Sequence, residues 1–200
     1  MRAHGYAPHC VVRRARGLME SLDSGCRKIY SDMTLDIGCG RTPKGNVNVD
    51  LYQGFEHRKK VIIIKADAQH LPFKSNVFDK VISYEVIEHL ENPLTLLREM
   101  HRVSRDKIMI TTPNAFYINK ILRLFIRGFY TPNKEHIYLW GPIELETVLI
   151  ELGFRDVRIG YLDRSPSTGR LELFCEILRR VRTPFKRSLS AIASIRSRNP

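Results

Sequence analysis

The chain has 200 residues, 43% of them hydrophobic, which suits one ordinary domain with a core of its own. Its 33 Lys and Arg against 21 Asp and Glu give a net charge of +12 and an isoelectric point near 9.8, a balance that attracts anionic partners and makes their binding salt-sensitive. No stretch approaches the ~20 apolar residues that span a bilayer, no signal-peptide run opens the chain, and Cys10, Cys26, Cys39 and Cys175 are scattered, which argues against a disulfide scaffold or zinc knuckle and for a reduced, cytoplasmic setting.

At the N-terminus His4, His9 and Cys10 are metal-ligating types, but in a terminal stretch they read as incidental, and no metal site is expected. Residues 11–22 have helix-like apolar spacing, continued by Ile29 and Tyr30. Residues 1–33 are therefore expected to be a basic helical extension that packs on a sheet, the other reading being a solvated extension. Next, Leu35-Asp36-Ile37-Gly38-Cys39-Gly40 is a short apolar strand that breaks into a glycine turn, where the backbone can bend sharply and lie against a ligand. Asn46 to Asp50, Val61 to Ala68 and Phe78 to Val86 read as three more strands, the first two ending in the acids Asp50 and Asp67. Near-continuous β-branched runs of this kind suit a parallel sheet buried on both faces. Ligands of such sheets bind in the crevice at the carboxyl ends of the strands, so the glycine turn and the acids would gather there around a molecule with hydroxyls and amines.

Asn92-Pro93 opens a helix, proline sitting well in a first turn. Leu94, Leu97 and Met100 form its apolar stripe, and Lys107 to Thr112 is a fifth strand. Ile118, Ile121, Leu122, Phe125, Ile126 and Phe129 recur at helical intervals among Lys120, Arg123 and Arg127, so residues 115–138 read as a lid with an apolar inner face, or as core packing. Pro142 to Leu152 is a helix closed by Gly153. Residues 157–162 and 171–178 are two further strands. Residues 179–200 contain no acid but seven Lys and Arg, with Phe185, Leu189, Ile192 and Ile195 near helical spacing. This basic tail fits nucleic acid or an anionic membrane surface, or a solvated end.

The ordered set resembles the class I S-adenosylmethionine-dependent methyltransferases, in particular the type 11 group. The matching pieces are Leu35 to Gly40, Asn48 to Asp50, Ala66 to Phe73, Phe78 to Leu90, and Glu135 to Tyr138 followed by Pro142 to Phe154. The resemblance implies a Rossmann-like α/β fold: a mostly parallel seven-stranded sheet with an antiparallel C-terminal edge hairpin, in a methyltransferase domain over residues 34–178. It also implies S-adenosylmethionine as cofactor and S-adenosylhomocysteine as product. Gly38, Cys39 and Gly40 would face the methionine portion with Asp36 near its ammonium, and Asp50 would take the ribose hydroxyls. Leu51 would lie on the adenine, Asp67 and Ala68 would meet its edge, and Tyr84 and Glu85 would stand beside the sulfonium and amine.

Two departures stand out. The third small residue of the family's turn is Thr42 here, and only nine residues separate Gly40 from Asp50. A parallel crossover normally takes at least about 10–12 residues, so the helices between strands 1 and 2 and between strands 2 and 3 are expected to be shortened or absent. Methyl transfer needs alignment and, for some acceptors, a base. His136, His89 and Glu88 are the candidates, His136 first because a histidine accepts a proton near neutral pH. Ser83-Tyr84-Glu85-Val86 is not the Asn/Asp-Pro-Pro-aromatic motif of amide and adenine N-methyltransferases. The acceptor therefore stays open among small molecules, glycans, lipid precursors and RNA, an anionic one suiting the charge. A non-catalytic nucleotide-binding module is the remaining alternative.

Overall fold

The computed structural model describes residues 33–51, 62–127, 135–162 and 187–195. Seven strands form one sheet: β1 (Thr34–Ile37), β2 (Val47–Asp50), β3 (Ile62–Lys65), β4 (Phe78–Tyr84), β5 (Ser104–Pro113), β6 (Arg155–Leu162) and β7 (Ser188–Ser194). Their spatial order is β3-β2-β1-β4-β5-β7-β6. β1 to β5 run parallel, and β7 is antiparallel to both β5 and β6. The chain therefore winds outward from β1 in one direction, then returns to β4 and winds outward in the other. The switch lies between β1 and β4, where the crevice of an open parallel sheet forms.

One face of the sheet is apolar and carries two of the described helices. Leu35 and Ile37 of β1, Val47 and Val49 of β2, Val81 of β4, and Ile108 and Ile110 of β5 are buried there. Over them lies α1 (Pro93–Val103), which starts with Pro93 in its first turn while the Asn92 side chain accepts the Thr95 N–H. Its buried stripe is Leu96, Leu97, Met100 and Val103, each large side chain contributing roughly 1.5–3 kcal/mol by leaving water. A second helix, α2 (Ile118–Arg127), follows β5, and α3 (Pro142–Glu151) precedes β6, closed by Gly153 at φ 89° and burying Leu145 and Leu149.

The opposite face is crossed by the short β1–β2 connection, residues 38–46, which contains no helix, as its length requires. Asp36 and Asn48, paired across β1 and β2 and fully buried, brace it in the place of a helix. Asp36 Oδ2 accepts the Lys44 N–H at 2.9 Å, and Asn48 exchanges hydrogen bonds with Gly45 while donating to the Ile62 carbonyl. Gly45 must be glycine: a Cβ would meet the Thr34 carbonyl oxygen and the Asp36 nitrogen at 2.8 Å.

The C-terminal pairing corrects one expectation. The strand between β5 and β6 is Ser188–Ser194, in the stretch expected to be a basic tail. Small residues suit that interior position: a Cβ at Gly160 of β6 would lie 2.7 Å from the Ser190 hydroxyl. The expected strand over 171–178, the β2–β3 connection over 52–61, the N-terminal extension over 1–32 and most of the tail over 179–186 lie outside the described residues, as does part of the lid, 128–134.

Candidate active site

A cavity of about 300 Å³ opens at the carboxyl ends of β1, β2, β3 and β4. Seven of the residues named from the sequence line it: Gly38, Asp50, Leu51, Asp67, Ala68, Glu85 and His89. Val49, Ala66, Val86 and Leu90 complete the lining. These four lie within or directly beside the named motifs, so their only signal was adjacency.

The glycine turn works through its backbone. Gly38 and Gly40 take left-handed φ values of 70° and 51°, which glycine adopts without penalty. The Gly38 N–H donates to the Val49 carbonyl, and a Cβ at Gly38 would collide with the Val86 side chain. The Gly40 N–H donates to Asp50 Oδ2 at 2.8 Å, which pins the carboxylate at the end of β2. Cys39 is buried beneath the turn, and burial raises its thiol to about 11. Across the cavity Asp67 accepts the Gln69 N–H and pairs with His70, the backbone bond first and these partners together holding it below the usual carboxylate range.

The Asp36 and Tyr84 side chains are held outside the cavity lining. The Asp36 carboxylate is turned under the crossover, its Oδ1 without a hydrogen-bond partner among the described residues, and burial raises its pKa to about 6. The Tyr84 ring lies under the Lys44 ammonium, 3.6 Å from the ring centroid, and its hydroxyl donates to the Met109 sulfur. Lys44 thus ties both side chains to the crossover, outside the cavity lining.

The three candidates for proton chemistry come together although His136 is far from Glu88 and His89 in the chain. Glu85, at φ 56° after β4, turns the backbone into a short 3-10 turn over Ile87–His89. That turn buries Glu88 and leaves His89 against the cavity. The segment after Glu135 returns across it: the Ile137 and Tyr138 N–H groups donate to the Glu88 carbonyl, and Asn114 bridges to Trp140. The rings of His89 and His136 then meet edge to face at 4.8 Å. Glu88 Oε2 accepts the Thr112 hydroxyl at 3.2 Å, and His89 Nδ1 lies 2.9 Å from the Glu135 carbonyl. Burial lifts Glu88 to about 7; burial and the neighbouring His89 and Lys120 push His136 below its ordinary value. Lys120 of α2 donates to the Asn114 carbonyl, and its charge is felt by Glu85 and Glu88.

The residues present fit S-adenosylmethionine. A carboxylate stands at the end of β2 for hydroxyls, the adjacent glycine backbone admits close approach, and Glu85 Oε1 is buried with no partner among the described residues. Comparison with known proteins agrees. A family described as a methyltransferase domain, type 11, matches residues 45–107. The chain is 30% identical over 167 residues to a Mycobacterium tuberculosis protein named "Probable S-adenosylmethionine-dependent methyltransferase". The match takes in 80% of this chain and 55% of that one, so the chain spans about half the length of the curated relatives it matches. Among solved structures, a SAM-dependent methyltransferase from Archaeoglobus fulgidus superposes with a TM-score of 0.57 at 21% identity, covering 95% of each chain. The magnesium protoporphyrin IX methyltransferase of Synechocystis, solved with bound SAH, gives 0.53 at 15% identity over 98% of this chain and 90% of its own. At those identities the structural likeness speaks for the fold, and the sequence likeness carries the family. With fold, crevice and sequence in agreement, this chain carries a class I S-adenosylmethionine-dependent methyltransferase domain.

Proposed function

We propose that this domain moves a methyl group from S-adenosylmethionine to an oxygen or nitrogen of a small-molecule, glycan or lipid-type acceptor in the cytoplasm. The observation that carries the reading is the pinned Asp50 carboxylate beside the glycine turn, at the switch point of the sheet. When bound, the cofactor would supply an activated methyl group on a sulfonium, open to in-line attack by the acceptor atom. Asp50 would accept hydrogen bonds from both ribose hydroxyls, the Gly38 and Gly40 backbone would border the methionine portion, and Glu85 would face its ammonium. Leu51 and Leu90 would enclose the adenine. Asp67 would take the adenine amine, since each carboxylate oxygen keeps a second lone pair after its present bond.

Glu88, His89 and His136 stand on the acceptor side of the crevice, where they would hold or receive the acceptor's proton. Phe116, Ile137, Leu139 and Ile143 are exposed on the segments around this cluster, which favours an acceptor with an apolar body. The RNA alternative drew on a basic tail, and Ser188–Ser194 of that stretch is an interior strand, so we favour the smaller acceptor. The test is calorimetric titration with S-adenosylmethionine and S-adenosylhomocysteine. Saturable heat with wild type and roughly 10–100-fold weaker binding in Asp50→Ala are expected, from lost hydrogen bonds to a charged group. No heat with wild type sinks the reading.

A further inference from the structure

Glu88, His89 and His136 share a property that three independent bases would not need: their ligand-type atoms gather at one place. Ligand-type atoms of all three lie within 4.8 Å of one another. Glu88 is 1% exposed, and its Oε1 has no hydrogen-bond partner among the described residues. The Glu135 carbonyl can only accept, so His89 Nδ1 carries the ring hydrogen toward it and Nε2 presents a lone pair. That lone pair faces Glu88 Oε1 at 3.8 Å. Glu88 is buried and the two imidazoles are partly exposed, and acceptor atoms this close are satisfied by a proton or a cation among them. The surrounding bonds are those that orient metal ligands: a hydroxyl on the carboxylate's other oxygen and a carbonyl on the imidazole N–H.

We infer that Glu88, His89 and His136 bind one divalent first-row metal ion beside the methyl-transfer site, and that its open coordination positions take the oxygen of a hydroxyl-bearing acceptor. The inference rests on the methyltransferase reading for its acceptor, and it departs from the sequence-based expectation of no metal. Bonds of about 2.0–2.2 Å place neighbouring ligands roughly 3 Å apart, so modest side-chain rotations close the cluster onto an ion. Mixed imidazole and carboxylate donors suit Zn²⁺, Fe²⁺ or Mn²⁺ better than Ca²⁺. Three protein ligands leave positions open, as catalytic sites do. His89 lines the cofactor cavity, so the ion would border both ligands. The substrate class that follows is an alcohol or phenol, whose oxygen a Lewis acid activates, rather than an amine. Lys120 is the competing counter-charge.

The test titrates Mn²⁺ into the metal-stripped full chain, reading free Mn²⁺ by electron paramagnetic resonance, with S-adenosylhomocysteine titrated calorimetrically in parallel. One Mn²⁺ per chain is expected. Glu88→Gln and His136→Ala should each weaken it at least roughly tenfold while leaving S-adenosylhomocysteine affinity within about threefold. If wild type binds S-adenosylhomocysteine but no Mn²⁺ saturably, a proton alone fills the cluster and the metal site is overturned, with the cofactor reading intact. Mn²⁺ binding with S-adenosylhomocysteine silent would keep the site and sink the cofactor reading. Mn²⁺ binding that both variants retain in full also overturns the proposal.

Discussion

On the proposed cofactor side of the crevice the surface is largely backbone: two left-handed glycines, the N–H that pins Asp50, and the small residues Ala66 and Ala68. On the proposed acceptor side it is side chains, Glu88 buried and the two histidines partly so, drawn from the end of β4, the end of β5 and the segment that returns after Glu135. A backbone surface accepts the same ligand whatever the fold's insertions do, because its shape depends on few contacts. A side-chain cluster depends on distant segments meeting, so it is where one acceptor can be exchanged for another. The two sides should therefore fail separately, and the largest failure should come from the backbone.

Gly38→Ala attacks that surface directly. It forces a side chain into a left-handed conformation and against Val86, costs that together come to about 2–5 kcal/mol. Thermal unfolding should show the loss, and calorimetry should show S-adenosylhomocysteine binding abolished. A variant with wild-type affinity would mean that the turn does not shape the site.

Asp36→Asn tests what lies beneath the same turn. Burial raises the Asp36 carboxyl to about 6 from its ordinary 3.8. A raised folded-state pKa means the folded chain holds the proton more tightly. The resulting stability is full below pH 3.8 and is lost as pH rises through 6. Across that window wild type should lose up to about 3 kcal/mol that the variant does not. Melting curves between pH 4 and 7 read the difference; identical slopes would show that the buried carboxylate does not titrate on folding.

How much of this was legible in the sequence follows from how local each feature is. β1, β2 and β4 announce themselves in β-branched runs, and the missing first helix in the short path from Gly40 to Asp50. β7 does not: Ser188-Leu189-Ser190-Ala191-Ile192-Ala193-Ser194 is small, partly polar and set among arginines. It is a strand because β5 and β6 offer it two hydrogen-bonding edges, and tertiary pairing overrides weak propensity. Asp36 was readable in principle, since alternation along β1 puts it on the face opposite Leu35 and Ile37. Its acid identity drew it to the ligand instead. Glu88, His89 and His136 were each named as separate candidates. Their convergence was hidden because it depends on Ile137 and Tyr138 donating to the Glu88 carbonyl across the crevice.

A paired measurement sharpens the contrast between the two sides. Asp50→Ala should weaken S-adenosylhomocysteine roughly 10–100-fold and leave Mn²⁺ affinity near wild type, whereas Glu88→Gln should do the reverse. If both variants lose both ligands, the crevice is one cooperative site and the division drawn above fails.

The smallest effect is the most diagnostic. Thr112→Val keeps the side chain's shape and removes only the hydroxyl that donates to Glu88 Oε2 at 3.2 Å. One hydrogen bond to a buried group is worth about 1 kcal/mol, so Mn²⁺ affinity should fall roughly fivefold while S-adenosylhomocysteine binding is unchanged. If Thr112 merely satisfies a buried carboxyl, the melting temperature moves and the metal isotherm does not. If it orients a ligand, the isotherm moves at least as much, because the rotation of the carboxylate decides whether Oε1 still faces the lone pair of His89. A shift confined to melting temperature would reduce the cluster to packing and return the acceptor side to the same structural footing as the rest of the sheet.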